Sequence, residues 1–148
     1  MTTGDSSKPV DILLVEDNPG DARLAIEALN ESTVPNTVHA VRDGEEAMAF
    51  LHQEGKYASA PRPDLILLDL NLPKKDGREV LAEIKENPDL KCIPVVVMTT
   101  SNAEDDIRKT YNLHVNCYVT KPVEFDHFMK VIKSLEDFWL ATVRLPSR

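Results

Sequence analysis

Leu65-Ile66-Leu67-Leu68, an unbroken apolar run with Asp69 directly behind it, is the centre from which the rest of this chain can be read. Four large apolar side chains followed by a carboxylate read as a short strand that delivers a charge to its carboxyl end. Four more apolar runs read the same way: Val10–Val15 and Thr37–Val41 upstream, Ile93–Met98 and Cys117–Val119 downstream. Amphipathic stretches of helical period lie between them. Parallel strands need crossovers, and the favoured crossover is a helix, so this alternation argues for βα units and a parallel sheet covered on both faces. Five such units fill the chain.

The helices carry their own start and stop signals. The first has Asn18 as a cap and Pro19 at the first helical position, with Ala22, Ala25, Ile26 and Leu29 on one face. The second opens with Asp43-x-x-Glu46, a start resembling a capping box, buries Ala47, Phe50 and Leu51, and is expected to end at Gly55. The third starts near Asp76-Gly77, shows Val80, Leu81 and Ile84, and stops at Asn87-Pro88. A fourth, opened by Ser101-x-x-Glu104, has only Ala103, Ile107 and Tyr111 as an apolar stripe, which makes it the most weakly anchored. The fifth runs from about Glu124 to Ala141 and carries Phe125, Phe128, Met129, Val131, Ile132, Leu135, Phe138 and Trp139, more apolar surface than one sheet face needs. Residues 1–9 are small, polar and closed by Pro9, and read as a disordered lead.

At 148 residues and 42% hydrophobic content the chain matches one domain with one core. Its net charge of −8 repels polyphosphate backbones and anionic lipid, so neither nucleic acid nor membrane is expected as a partner. No stretch is apolar for long enough to span a bilayer and the N-terminus lacks a leader pattern, so the expected location is cytoplasmic. Cys92 and Cys117 lack a CxxC spacing and read as ordinary buried thiols.

In doubly wound sheets the functional residues gather at the carboxyl ends of the strands, near the point where strand order reverses. Glu16 and Asp17 follow the first strand and Asp69 the third. Three carboxylates in one crevice repel one another unless a cation neutralises them or one stays protonated. A hard divalent ion suits them: Mg²⁺ prefers oxygen ligands and is commonly held by one or two carboxylates together with phosphoryl oxygens. His39, His52, His114 and His127 lie on scattered elements without zinc-ligand spacing. The fourth strand ends in Thr99, a hydroxyl able to hydrogen-bond a phosphoryl oxygen. The fifth, through Tyr118, ends in Thr120-Lys121-Pro122, which places a compact cation beside the same pocket.

Glu16-Asp17, Asp69, Thr99 and Lys121-Pro122 on successive strand ends resemble the receiver family of response regulators, and the match runs from about Val10 to Leu135. Leu68-Asp69-Leu70-Asn71-Leu72-Pro73 followed by Asp76-Gly77 resembles the family's phosphoacceptor loop residue by residue. The resemblance implies a flavodoxin-like, doubly wound (βα)5 three-layer sandwich with strand order 2-1-3-4-5. The receiver domain would span residues 10–141 and a short tail 142–148. It also implies that Asp69 accepts a phosphoryl group and that Mg²⁺ is held by Asp17, Asp69, the Asn71 backbone carbonyl and Glu16, the last directly or through water. Thr99 and Lys121 would hold the phosphoryl oxygens, and Tyr118 would change rotamer with Thr99 as a switch. The implied donor is a phosphohistidine on a sensor histidine kinase or phosphotransfer protein. Where two aspartates are also common in the family, this chain has Glu-Asp.

The long last helix, with Phe138, Trp139, Val143 and Leu145, and the long Gly55–Pro63 connection are similar to those of stand-alone regulators encoded with bacterial and cyanobacterial phytochromes. This narrower resemblance implies a phytochrome kinase as donor. The apolar excess of the last helix is explained either by a homodimer through the fourth and fifth helices and the tail, or by the tail packing back on the sheet. Output would be by contact with a downstream protein. An aspartyl-phosphate hydrolase is the rival enzyme class, but such enzymes generally resemble Asp-x-Asp, and here Asn71 stands in the second place. A receiver-like binding module that has lost phosphorylation is the other rival, and the intact Asp69, Thr99 and Lys121 argue against it. The expected protein is a signalling phosphoacceptor, not a metabolic enzyme.

Overall fold

The structure is a computed structural model that describes residues 9–32, 34–99, 117–120 and 125–142. In chain order the described elements are β1 (Val10–Val15), α1 (Pro19–Asn30), β2 (Asn36–Val41), α2 (Gly44–Leu51), a 3₁₀ turn (Gly55–Tyr57), β3 (Leu65–Asp69), α3 (Gly77–Glu86), β4 (Val95–Thr99), β5 (Cys117–Thr120) and α4 (Phe125–Thr142). The helix expected after Ser101 lies outside the described residues. The five strands form one sheet in the order β2-β1-β3-β4-β5, every pairing parallel, as the sequence implied.

Alternation along each strand sorts the core into two layers. Leu13, Val15, Ile66, Leu68, Val95 and Val97 face α2 and α3, where Ala47, Phe50, Leu51, Val80, Leu81 and Ile84 are buried. Ile12, Leu14, Leu65, Leu67, Val96 and Met98 face the other way, against Ala25, Ala28 and Leu29 of α1 and Phe128 and Ile132 of α4. The chain leaves β1 for the edge strand β2 and returns on the opposite side of β1 as β3. Strand order therefore reverses between β1 and β3, where Val15 pairs in register with Leu68.

One expected cap forms, and a second one, not expected, stands where α3 was expected to start. The Asn18 side chain accepts from the Asp21 amide, and Asp76 with Glu79 makes a complete capping box at the start of α3. At α2 only half of the expected box exists: Asp43 accepts from the Glu46 amide, while the Glu46 carboxylate reaches the amide of Arg42 instead. α2 also stops earlier than expected. Gln53 takes a left-handed conformation (φ 57°) just past Leu51, which ends the helix before Gly55, and Gly55 opens the 3₁₀ turn. β4 starts at Val95, because Ile93 lies in the turn ahead of Pro94, which has no N–H to give to a ladder. Cys92 corrects the sequence reading outright: it is a free, exposed thiol on that same turn, not a buried one. The side chain of Cys117 lies outside the described residues.

The connection after α2 is tied down through Glu46. Its carboxylate accepts from the Tyr57 hydroxyl and the Arg42 amide and pairs with Lys56 at 3.4 Å. Burial alone would raise the Glu46 pKa, but these partners outweigh it and hold the group below its usual 4.5. Burial, then the hydrogen bond to Glu46 and its charge, push Tyr57 up from 10.0 to about 12. A group whose folded pKa is raised lends stability that is complete below its unfolded pKa of 10.0 and is lost as pH climbs through about 12. Phenolate absorbance should therefore show one of the three tyrosines titrating near 12, and Glu46→Gln should bring that step back toward 10.0. A Tyr57 step unmoved by Glu46→Gln would contradict the link.

Candidate functional site

Parallel register places the ends of β1 and β3 side by side. The Glu16 amide donates to the Val41 carbonyl at 3.0 Å and the Leu70 amide to the Met98 carbonyl at 3.1 Å, so the backbone stays ordered one residue past each strand. Glu16 and Asp17 follow β1, and Asp69 is the last residue of β3. One carboxylate oxygen from each of the three lies within 4.8 Å of the other two. Glu16 is 4% exposed and Asp69 1%, whereas Asp17 stands at the surface. The site is thus an acidic crevice with two buried walls and one open side.

Backbone amides orient the two buried carboxylates. The Asn18 amide donates to Glu16 Oε2 at 3.1 Å, and the Asn71 amide donates to Asp69 Oδ1 at 2.9 Å. Each spans two residues, a local geometry in which a side-chain oxygen folds over its own following backbone. Past Asp69 the loop closes at once, for the Gly77 amide donates to the Leu70 carbonyl at 3.0 Å. Gly77 lies so close to the strand end that a β-carbon there would overlap the Asp69 carbonyl oxygen and stand 2.6 Å from Leu70 Cα. The first turn of α3 is consequently seated on the end of β3.

Three like charges this close are tolerable only with compensation. Two backbone N–H dipoles supply part of it. The donor set suits the rest: carboxylate oxygens without a thiolate or imidazole among them are the ligands that Mg²⁺ and Mn²⁺ take. Two ligands about 2.1 Å from one ion stand about 3 to 4.2 Å apart, so modest side-chain rotations bring the described cluster around a cation. The residues present fit a divalent metal.

Of the residues picked out from sequence, Glu16, Asp17 and Asp69 converge and Asn71 lies in the same loop with its amide on Asp69. Thr99 ends β4, one residue beyond Met98, the partner of Asp69, and is itself in register with Thr120 of β5. Tyr118 lies within β5 opposite Val97. The side chains of Thr99 and Tyr118, and the whole of Lys121, lie outside the described residues. Sequence reasoning missed the Asn18 amide on Glu16 and the close seat of Gly77. The first was signalled by an acidic residue two positions ahead of a helix cap, the second by a glycine, a poor helix former, in the first turn of a helix just after its Asp76 cap.

A family model for the response regulator receiver domain matches residues 12–133. This chain belongs to that family: it is a receiver-domain response regulator, a signalling protein. It is 59% identical over 143 residues to the response regulator Rcp1 of Synechocystis sp., covering 97% of each chain. Among solved structures it resembles the Mn²⁺-bound form of Rcp1, at 60% identity and TM-score 0.81 over 93% of this chain and 99% of that one. It likewise resembles the phosphorylated cyanobacterial phytochrome response regulator RcpA, at 62% identity and TM-score 0.82 over 94% and 99% of the two chains. The chain is therefore related to phytochrome response regulators. Among the described residues no helix is long and apolar enough to cross a membrane.

If the crevice binds a divalent cation only when folded, Mg²⁺ at 100 times its Kd should add about 2.7 kcal/mol to the unfolding free energy. In urea titrations with Mg²⁺ and with chelator, wild type should show that difference and Asp69→Asn should show little of it. An equal metal effect in the two proteins would place the ion elsewhere.

Proposed function

We propose that the Asp69 carboxylate accepts a phosphoryl group from a phosphohistidine on a sensor histidine kinase or phosphotransfer protein, with Mg²⁺ in the acidic crevice. The observation that carries this reading is the burial of Asp69 at the end of β3 with oxygens of Glu16 and Asp17 within 4.8 Å. One Asp69 oxygen bonds to phosphorus as the phosphorus–nitrogen bond to the donor imidazole breaks, and the imidazole leaves with that electron pair and takes up a proton. Two anions meet in this step, so it needs positive charge at the site. A bound Mg²⁺ supplies that charge and a template for the phosphoryl oxygens.

Glu16, Asp17, Asp69 and the Asn71 carbonyl are the proposed holders of the ion, Glu16 directly or through water. The Asn71 amide, at 2.9 Å from Asp69 Oδ1, orients the nucleophile. Thr99 and Lys121 hold the phosphoryl oxygens, and Tyr118 follows Thr99 as the switch. Water later attacks phosphorus, the bond to the Asp69 oxygen breaks, and inorganic phosphate leaves. The protein would thus catalyse its own slow phosphorylation and dephosphorylation.

Phosphorylation adds roughly −1.5 to −2 charges and three acceptor oxygens beside Thr99. The proposed readout is the face around the segment after Ser101, β5 and α4, meeting a downstream protein in the cytoplasm. Similarity to RcpA supports a phytochrome kinase as donor, and the apolar residues of α4 with Val143 and Leu145 support a homodimer.

With Mg²⁺ and a small acyl phosphate or the cognate kinase, wild type should gain one acid-stable, base-labile phosphoryl group. Asp69→Asn should gain none, and chelator should prevent labelling of wild type. Persistent labelling of Asp69→Asn would overturn the assignment.

A further inference from the structure

We propose that Gly44 is a positioning residue for the phosphoacceptor loop: lacking a side chain, it lets the first turn of α2 press directly on the backbone of Lys75 and so holds the segment between β3 and α3 at Asp69. The inference rests on the preceding reading of Asp69 as acceptor. Gly44 is buried, and a β-carbon there would overlap the Lys75 carbonyl oxygen while standing 2.8 Å from its carbonyl carbon and 2.7 Å from its Cβ. Most of that obstruction is backbone, which cannot swing aside as a long side chain can. Gly44 is not among the residues at positive φ, so it is space rather than torsion that calls for glycine. Gly55 shows the opposite case, with φ 59° and nothing within 4 Å of its missing β-carbon.

The loop bears the imprint of this contact. Lys74, next to the pressed carbonyl, sits at φ 65°, a left-handed conformation that a non-glycine residue keeps only where its surroundings impose it. Lys74 Nζ also lies 3.6 Å from Asp43 Oδ2, but that lysine side chain is 62% exposed and such pairs contribute little. Backbone contact at Gly44 is therefore the stronger hold. At its other end the loop is closed by Gly77 on Leu70 and Asp69. Two glycines thus pin the same seven-residue stretch, Leu70–Asp76, one at the acceptor and one at α2.

A methyl group at position 44 must move either α2 or the loop. α2 is fixed by buried Ala47, Met48, Phe50 and Leu51, whereas Lys74 is exposed and Lys75 half-buried, so the loop gives way. The displaced loop carries Asn71, whose amide orients Asp69. The site should then lose its preformed geometry although none of its carboxylates has changed.

The test is Gly44→Ala in the full chain, with Mn²⁺ affinity measured by water-proton relaxation and labelling by a small acyl phosphate followed against Mg²⁺ concentration. Loss of a partner that orients metal ligands typically costs about 10–100-fold in affinity, so the metal dependence should shift by about tenfold or more. The labelling rate at saturating Mg²⁺ should return to that of wild type, a split that general destabilisation would not give while circular dichroism reports a folded chain. A folded Gly44→Ala protein with wild-type metal dependence overturns the proposal. Should Gly44→Ala fail to fold, Lys74→Gly keeps the Gly44 contact but lets the loop leave the left-handed region. With that contact intact, Mn²⁺ affinity should stay within about twofold of wild type, and a loss of about tenfold or more overturns the proposal. If wild type itself neither binds Mn²⁺ nor takes the label, it is the acceptor reading that fails.

Discussion

Repulsion among Glu16, Asp17 and Asp69 is the constraint on which this structure turns. Two parallel strands in register deliver these carboxylates to one crevice, two of them buried. Burial strengthens like-charge repulsion because the interior screens less than water does. The fold meets that cost through its core: β3 is buried along its whole length, with Leu65 and Leu67 packed on one face and Ile66 and Leu68 on the other. Apolar packing thus holds charged groups where they would not go by themselves, and a divalent cation becomes favourable there.

The loop that follows Asp69 is the second part of the same design. Asp69 ends a strand, which gives its backbone an unchanging direction, while its carboxylate is oriented by the amide of Asn71. Close contacts of glycine with backbone on both sides of the loop replace the side-chain packing that an exposed loop lacks. Rigid support of this kind lets a small chemical change at one carboxylate act on its surroundings rather than dissipate in local motion.

Much of this was legible in the sequence because it is written in local patterns. The apolar run ahead of Asp69, the Asn18-Pro19 start of α1 and the Asp76-Gly77 start of α3 each specify their element from a few adjacent residues. The pairing of Glu16-Asp17 with Asp69 followed from strand ends in a doubly wound sheet. What the sequence concealed depends on contacts between distant segments or on a backbone conformation without a residue signature. The left-handed residue that ends α2 is Gln53, while Gly55, left-handed too, opens the 3₁₀ turn, although glycine is the residue that favours that conformation. Cys92 is exposed because Pro94 delays β4, which leaves the thiol on a turn. Asp43-x-x-Glu46 looked like a closed box, yet Glu46 serves Arg42 and Tyr57 across a longer connection. The space above Gly44 is set by Lys75, 31 positions later, and nothing near Gly44 announces it.

The central claim is that a folded, cation-free crevice is already shaped for one divalent ion. Crystals soaked in Mn²⁺ and measured at the manganese absorption edge test this without any reaction. A single strong anomalous peak bounded by oxygens of Glu16, Asp17 and Asp69 is the result expected. A peak on other residues, or none in the crevice at a metal concentration that saturates the protein in solution, would contradict the account.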